Sequence, residues 1–215
     1  MLALSAGGGK LGSILCLGAH CDDIEIGCGA SILRLVRENP GVHVTWVVLS
    51  SSPERTEEAT QAADRFLSGT KHKTVKIEAF RDSYFPYSGA EIKDYIHALS
   101  RTVQPDLILT HYRGDAHQDH RLVSELTGNA FRDHLILEYE IPKYDGDLGA
   151  PNFFIPVDRE LCESKVDAIY DCFGTQRSRS WFTKETFWAI LRLRGIEANS
   201  ASGYAEGFYA RKCVY

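Results

Sequence analysis

Two short stretches gather side chains able to hold a metal or move a proton. They are His20-Cys21-Asp22-Asp23 and the longer run from His111 through Asp115, His117, Gln118 and Asp119 to His120. Imidazole and carboxylate groups suit a divalent transition metal such as zinc, for which three protein ligands leave a fourth position open to water. His20 and Asp23 are three residues apart, as are His117 and His120. Side chains at that spacing share a face within one helical turn, so either pair can reach a single point. Each cluster alone has a plainer explanation, since paired aspartates cap helix N-termini and favour the positive end of the helix dipole, and a lone histidine after a strand is an ordinary loop residue. The chemistry becomes compelling only if both clusters lie on neighbouring loops.

The surrounding pattern predicts that they do. Ile14 to Ala19 is a continuous apolar run, fit for a strand buried on both faces. Helical spacing over 24–37, a β-branched run over 42–49, a helix over 54–67, a strand over 75–80, a helix over 89–101 and a strand over 105–111 follow in turn. This β-α-β-α order defines an α/β fold, a Rossmann-like three-layer sandwich with a mostly parallel sheet. Ligands in such sheets sit beyond the C-terminal ends of the strands, where both clusters are expected. Beyond residue 130 the pattern gives strands near 135–141 and 153–157, a helix near 160–172 and an aromatic-rich tail. Residues 1–12 read as a flexible Gly/Ala-rich leader, and 13–215 as a single domain.

Composition narrows the classes. The 215 residues carry a net charge of −5 with acids and bases interspersed, and no Lys/Arg run that would mark a nucleic-acid partner. No apolar run approaches the roughly 20 residues of a membrane span. The N-terminus has its charge on the wrong side for a secretory signal, and six cysteines without a C-x-x-C pair fit reduced thiols in a cytoplasmic protein. Gly7 to Ser13 resembles a phosphate loop only superficially, because it precedes a strand instead of following one. His43, His72, His97 and His134 fit loop or surface roles, and His111 a supporting role near the second cluster. Trp181, Phe182, Phe187 and Trp188 fit core packing better than a substrate wall, and Arg177 and Arg179 a solvated loop. A homo-oligomer is left open.

The motifs also carry a family likeness. Gly18-Ala19-His20-Cys21-Asp22-Asp23, with Glu25 and Gly27-Cys28-Gly29 behind it, closely resembles the A-H-x-D-D opening of the PIG-L/LmbE-like de-N-acetylases. His117-Gln118-Asp119-His120 resembles their H-x-D-H motif. Arg55-x-x-Glu58 and Asp82 extend the match, and Lys165, Thr175-Gln176, Arg194-Gly195 and Tyr204-Ala205-Glu206 continue it more loosely. The resemblance implies a zinc hydrolase, with iron or cobalt as substitutes, that removes an N-acyl group from an amino-sugar conjugate. It implies His20, Asp23 and His120 as metal ligands and Asp22 as general base toward the attacking water. His117 becomes the oxyanion stabiliser and acid, Asp119 its support, and Arg55 and Asp82 sugar contacts. Cys21 and Gln118 stand where the family often has proline, so a slightly looser site is expected, with Cys21 as a stray thiolate beside the base. Two other readings share these residues: an amidase for a thiol glycoconjugate or natural-product intermediate, and a silent sugar-binding relative, against which the intact acid, base and ligands argue.

Overall fold

The computed structural model describes residues 11–213, so most of the expected leader lies outside the described residues. Gly12 is tied in place: its amide and that of Ser13 donate to the Asp106 carboxylate, and its carbonyl accepts from His43. The chain then alternates β1 (Ser13–Gly18), α1 (Asp23–Glu38), β2 (His43–Val48), α2 (Pro53–Phe66), β3 (Lys73–Ile77), α3 (Gly89–Thr102), β4 (Leu107–His111), α4 (Gln118–Ala130) and β5 (Leu135–Tyr139). It continues with β6 (Phe153–Pro156), α5 (Arg159–Cys172), α6 (Lys184–Glu197) and β7 (Ala205–Ala210).

Seven strands form one sheet in the order β3-β2-β1-β4-β5-β7-β6. The first five in that order run parallel, and β7 is antiparallel to both β5 and β6. Alternate residues of β1 serve opposite cores: Ile14 and Cys16 join one apolar cluster with Trp46 and Phe66, while Leu15 and Leu17 join another with Val47 and Ile108. A strand flanked by apolar layers must be apolar at every position, which is why these strands read as unbroken runs. Helices α1, α2, α5 and α6 pack on one side and α3 and α4 on the other. Among the described residues, no helix is long and apolar enough to cross a membrane.

The strand order reverses at β1, whose neighbours are β2 on one side and β4 on the other. The chain leaves these adjacent parallel strands in opposite directions, opening a crevice at their C-terminal ends. Both reactive clusters emerge there.

The C-terminal third departs from expectation. The aromatic-rich tail is a helix, α6, followed by β7, which is inserted between β5 and β6. Phe187 and Leu191 of α6 are buried whereas Leu193 and Ile196 are exposed, which blurs the apolar stripe. Strand β7 carries buried Glu206 and Gly207, types that strand patterns disfavour. The third strand also begins earlier than expected, at Lys73, because its half-exposed Lys-Thr-Val-Lys-Ile sequence lacks a continuous apolar core. Phe182 and Phe187 are core residues, and Arg177 caps the carbonyls of Tyr170 and Asp171 at the end of α5.

The loosely matching positions prove to be ties. Lys165 Nζ, almost wholly buried, donates to Glu206 and to the Ile26 carbonyl, each at 2.6 Å. The Glu206 carboxylate accepts from the amides of Ala30 and Ser31. These bonds replace intrahelical ones where α1 breaks at Cys28 (φ −146°), the kind of side-chain insertion that kinks helices. Glu58 accepts from the amide and hydroxyl of Thr175, and Arg194 pairs with Glu140 and Glu197.

Candidate active site

The turn after β1 and the start of α1 present His20, Asp22 and Asp23. The β4–α4 loop brings His111, Asp115, His117, Asp119 and His120 to the same point. His20 Nδ1 lies 3.2 Å from His120 Nε2 and 3.4 Å from Asp23 Oδ2, and His120 Nε2 lies 3.4 Å from Asp23 Oδ1. Residues 100 positions apart thus meet edge to edge.

These spacings allow a test of fit. Zinc bonds of 2.0–2.1 Å at a tetrahedral angle separate neighbouring ligand atoms by about 3.3–3.4 Å. His20 Nδ1 and His120 Nε2 have about that separation, and the Asp23 carboxylate approaches them through different oxygens, Oδ2 and Oδ1, at 3.4 Å each; two imidazoles and one carboxylate suit the ion. Among the described residues, the groupings whose ligand atoms all lie within reach of one another are His20 with His117 and His120, Asp23 with His111 and His120, and His20 with Asp82 and Asp119. In the latter two, acceptor atoms already hold backbone amides. His111 Nε2 accepts the Ala19 amide at 2.9 Å, and the two Asp119 oxygens accept the amides of Ser83 and Phe85.

The outer nitrogens of the two imidazoles are anchored. His120 Nδ1 meets Asp115 Oδ2 at 3.0 Å, and Asp115 also meets Lys143 Nζ at 3.0 Å. His20 Nε2 faces Asp82 at 3.1 Å and Asp119 at 3.3 Å. Carboxylates in such positions fix the ring tautomer and raise ligand basicity. Sequence reasoning placed Asp115 in the second cluster without giving it a role. His111 is wholly buried, stacks on His120 with ring centroids 3.9 Å apart, and sits 3.3 Å from the Tyr139 hydroxyl.

Adjacent carboxylates are driven apart. Burial disfavours charge on Asp23, yet His120, His111 and His20 outweigh it and hold the carboxylate well below its ordinary range. At Asp22 burial wins over the Arg55 charge and raises its pKa. Two neighbouring acids in contrasting environments are the usual setting for separate roles.

One expected partnership differs, and the two residues expected to meet the sugar also touch the site's own side chains. The Asp119 carboxylate does not reach the His117 ring; it straps the Ser83–Phe85 segment and faces His20. His117 is instead the N-cap of α4, its Nδ1 accepting the Asp119 amide at 3.3 Å. Burial, with His120 and His20 alongside, lowers its pKa below the usual histidine value, so the ring is neutral with its proton on Nε2. Arg55 Nη2 donates to Asp22 Oδ1 at 2.8 Å, an orienting contact the sugar assignment did not foresee. Asp82 lies against His20 with its side chain 63% exposed.

The two proline replacements each supply a tie. Cys21 Sγ donates to the Ser50 carbonyl and the Ser51 hydroxyl, and burial pushes its thiol up to about 11, so it is no thiolate at neutral pH. Gln118 Nε2 donates to the Ser83 carbonyl at 2.6 Å.

A buried imidazole–carboxylate cluster whose side chains could hold a metal ion sits at the switch point of a mostly parallel α/β sheet. The chain belongs to the PIG-L family, described as GlcNAc-PI de-N-acetylase, whose model matches residues 15–131. Membership of that family makes it a hydrolytic N-deacetylase acting on an amide. Over 153 residues it is 30% identical to the Escherichia coli (strain K12) protein described as "Uncharacterized deacetylase YaiS", covering 65% of this chain and 80% of that one. The fold is shared with N,N'-diacetylchitobiose deacetylase from Pyrococcus horikoshii, with a TM-score of 0.70, 21% identity and coverage of 94% and 84% of the two chains. It is shared equally with GalB, the 4-carboxy-2-hydroxymuconate hydratase of Pseudomonas putida KT2440, with a TM-score of 0.76, 20% identity and coverage of 95% and 98%. The fold alone therefore does not select a reaction.

Proposed function

We propose that the protein is a zinc-dependent deacetylase that removes the N-acetyl group of an amino-sugar conjugate, with iron or cobalt able to substitute. The observation that carries this reading is the convergence of His20 Nδ1 and His120 Nε2, 3.2 Å apart, with the Asp23 carboxylate, whose two oxygens approach them at 3.4 Å each. These three residues would hold the ion. When bound, it polarises the amide carbonyl and acidifies the attacking water.

The remaining work falls to the chain's own groups. Asp22 takes the proton from the water, and Arg55 keeps that carboxylate aimed by its 2.8 Å bond. His117, neutral with Nε2–H, donates a hydrogen bond to the oxygen on which negative charge develops. The proton taken by Asp22 passes from Asp22 to the departing nitrogen, because His117 Nδ1 is held by the Asp119 amide and its Nε2–H by the oxyanion. Asp119 acts through His20 and the strapped loop, a supporting role. Asp82, exposed at the rim, meets a sugar hydroxyl. The amino-sugar assignment is supported by the family's description and by the chitobiose activity named for a protein of the same fold.

The test is amine release from N-acetylglucosamine glycosides with and without a chelator. Turnover that disappears with chelator and returns with zinc supports the reading. Turnover indifferent to chelation, or its absence from every N-acetylated glycoside at full zinc occupancy, overturns it.

A further inference from the structure

A cavity of about 650 Å³ lies beside α4, over β5 and β7. Its size is that of a small-molecule site, and none of His20, Asp22, Asp23, His117 and His120 lines it. Helix α4 packs on β4 and β1, and the cavity opens beyond it. Among the described residues, its charged lining is Arg113, Arg132, Arg211 and Lys212 against one acid, Glu138, in a chain whose net charge is −5. That acid is already occupied: one oxygen accepts from Arg211 Nε and the other from the Arg113 amide at 3.0 Å. Arg211 Nη2 also donates to the carbonyl and hydroxyl of Ser124, at 2.9 and 3.0 Å, and its guanidinium fills the space that a Cβ on Gly128 would take. A glycine weakens a helix interior; here it admits the arginine. Lys212 Nζ donates to the Arg132 carbonyl, which brings the segment after β7 against the turn after α4. Among the described residues, the one ion pair lining the cavity is Arg211–Glu138, so Arg113, Arg132 and Lys212 face it without a carboxylate partner.

We propose that this cavity is a binding site for an organic phosphate, a phosphate monoester carried on a compact carbon skeleton. A cleft lined mainly by one sign of charge focuses the field and concentrates the opposite ion. Arginine forks match phosphate oxygens and bind them in bidentate fashion, and a dianion relieves the mutual repulsion of cations that no free acid separates. The cavity is far larger than a bare ion needs, since a water-sized group takes about 30 Å³. A phosphate alone would leave most of it unfilled. Phe131, Ile136 and the stacked rings of Tyr112 and Tyr209, 3.8 Å apart, offer apolar contact to a carbon skeleton. The proposal goes beyond the deacetylase reading and does not depend on it.

Isothermal titration calorimetry of the zinc-loaded parent tests it, at about 150 mM salt to screen diffuse surface attraction. The probes are glucose 6-phosphate, AMP and inorganic phosphate, with glucose and adenosine as uncharged counterparts. At least one ester should bind about tenfold more tightly than inorganic phosphate, through the apolar surface its skeleton buries, and its uncharged counterpart should not bind. A preference for AMP identifies a nucleotide and a preference for glucose 6-phosphate a sugar phosphate; either upholds the site. Arg113→Ser/Arg132→Ser, both exposed, should weaken the bound ester at least about tenfold, because hydrogen bonds to a charged group are lost. An unchanged melting temperature confirms that this variant folds, and Lys212→Met, which removes a different charge, should weaken binding as well. An ester held by the catalytic metal would be lost in His120→Ala, whereas cavity binding persists there. Failure of both esters to bind, an affinity no better than that of inorganic phosphate, binding that survives the double substitution, or its loss in folded His120→Ala protein overturns the proposal.

Discussion

Arg55 Nη2 donates to Asp22 Oδ1 at 2.8 Å, joining the first turn of α2 to the loop that follows β1. On the proposed reading, this bond aims the general base. Arg55→Ala is expected to lower kcat at least about tenfold, part of the 10²–10⁴-fold that a positioned general base contributes. Steady-state kinetics at matched zinc content decides it. A rise in KM with kcat intact would return Arg55 to a purely sugar-binding role.

Asp115 holds His120 Nδ1 and leaves Nε2 facing His20 and Asp23. Loss of such an outer carboxylate typically weakens metal binding about 10–100-fold. Asp115→Asn should show that loss in a competitive zinc titration while keeping near-parental turnover at saturating zinc. Unaltered zinc affinity would mean that the contact does not tune the site.

The Lys165–Glu206 pair is buried on both sides and pins α1 at its kink. Replacing one partner leaves the other charge uncompensated, which costs about 3–5 kcal/mol in buried pairs. Urea denaturation of Lys165→Met should report a loss of that order, partly recovered when Glu206→Gln is added. A midpoint equal to that of the parent would remove the pair from the determinants of stability.

Binding to the folded state alone stabilises a protein by mass action. Adding zinc to metal-depleted protein should therefore raise the melting temperature, and His120→Ala should abolish the increment. An equal rise in that variant would locate the binding elsewhere.

Much of this was legible in the sequence, for identifiable reasons. Strands β1, β2, β4 and β5 sit under helices, so their burial writes itself as apolar runs. The candidate ligands His20, Asp23 and His120 sit in two compact motifs at strand ends, where the switch-point rule already directs attention. What stayed hidden depends on distant partners. Arg55 meets Asp22 across 33 positions, and Asp119 meets Ser83 across 36, so neither pairing leaves a local spacing. Strand β7 was illegible because Glu206, anomalous in a buried strand, is neutralised by Lys165 from α5, 41 residues earlier. Helix α6 was obscured by the exposure of Leu193 and Ile196 on its outer side.

The central claim is that two loops, each from a different parallel strand, share one ion. Elemental analysis of zinc per chain in the parent, His20→Ala, Asp23→Ala and His120→Ala tests it most directly, with circular dichroism confirming that each variant is folded. The account predicts one ion per parent chain and near-complete loss in all three variants. Full zinc content in folded His20→Ala protein would contradict it.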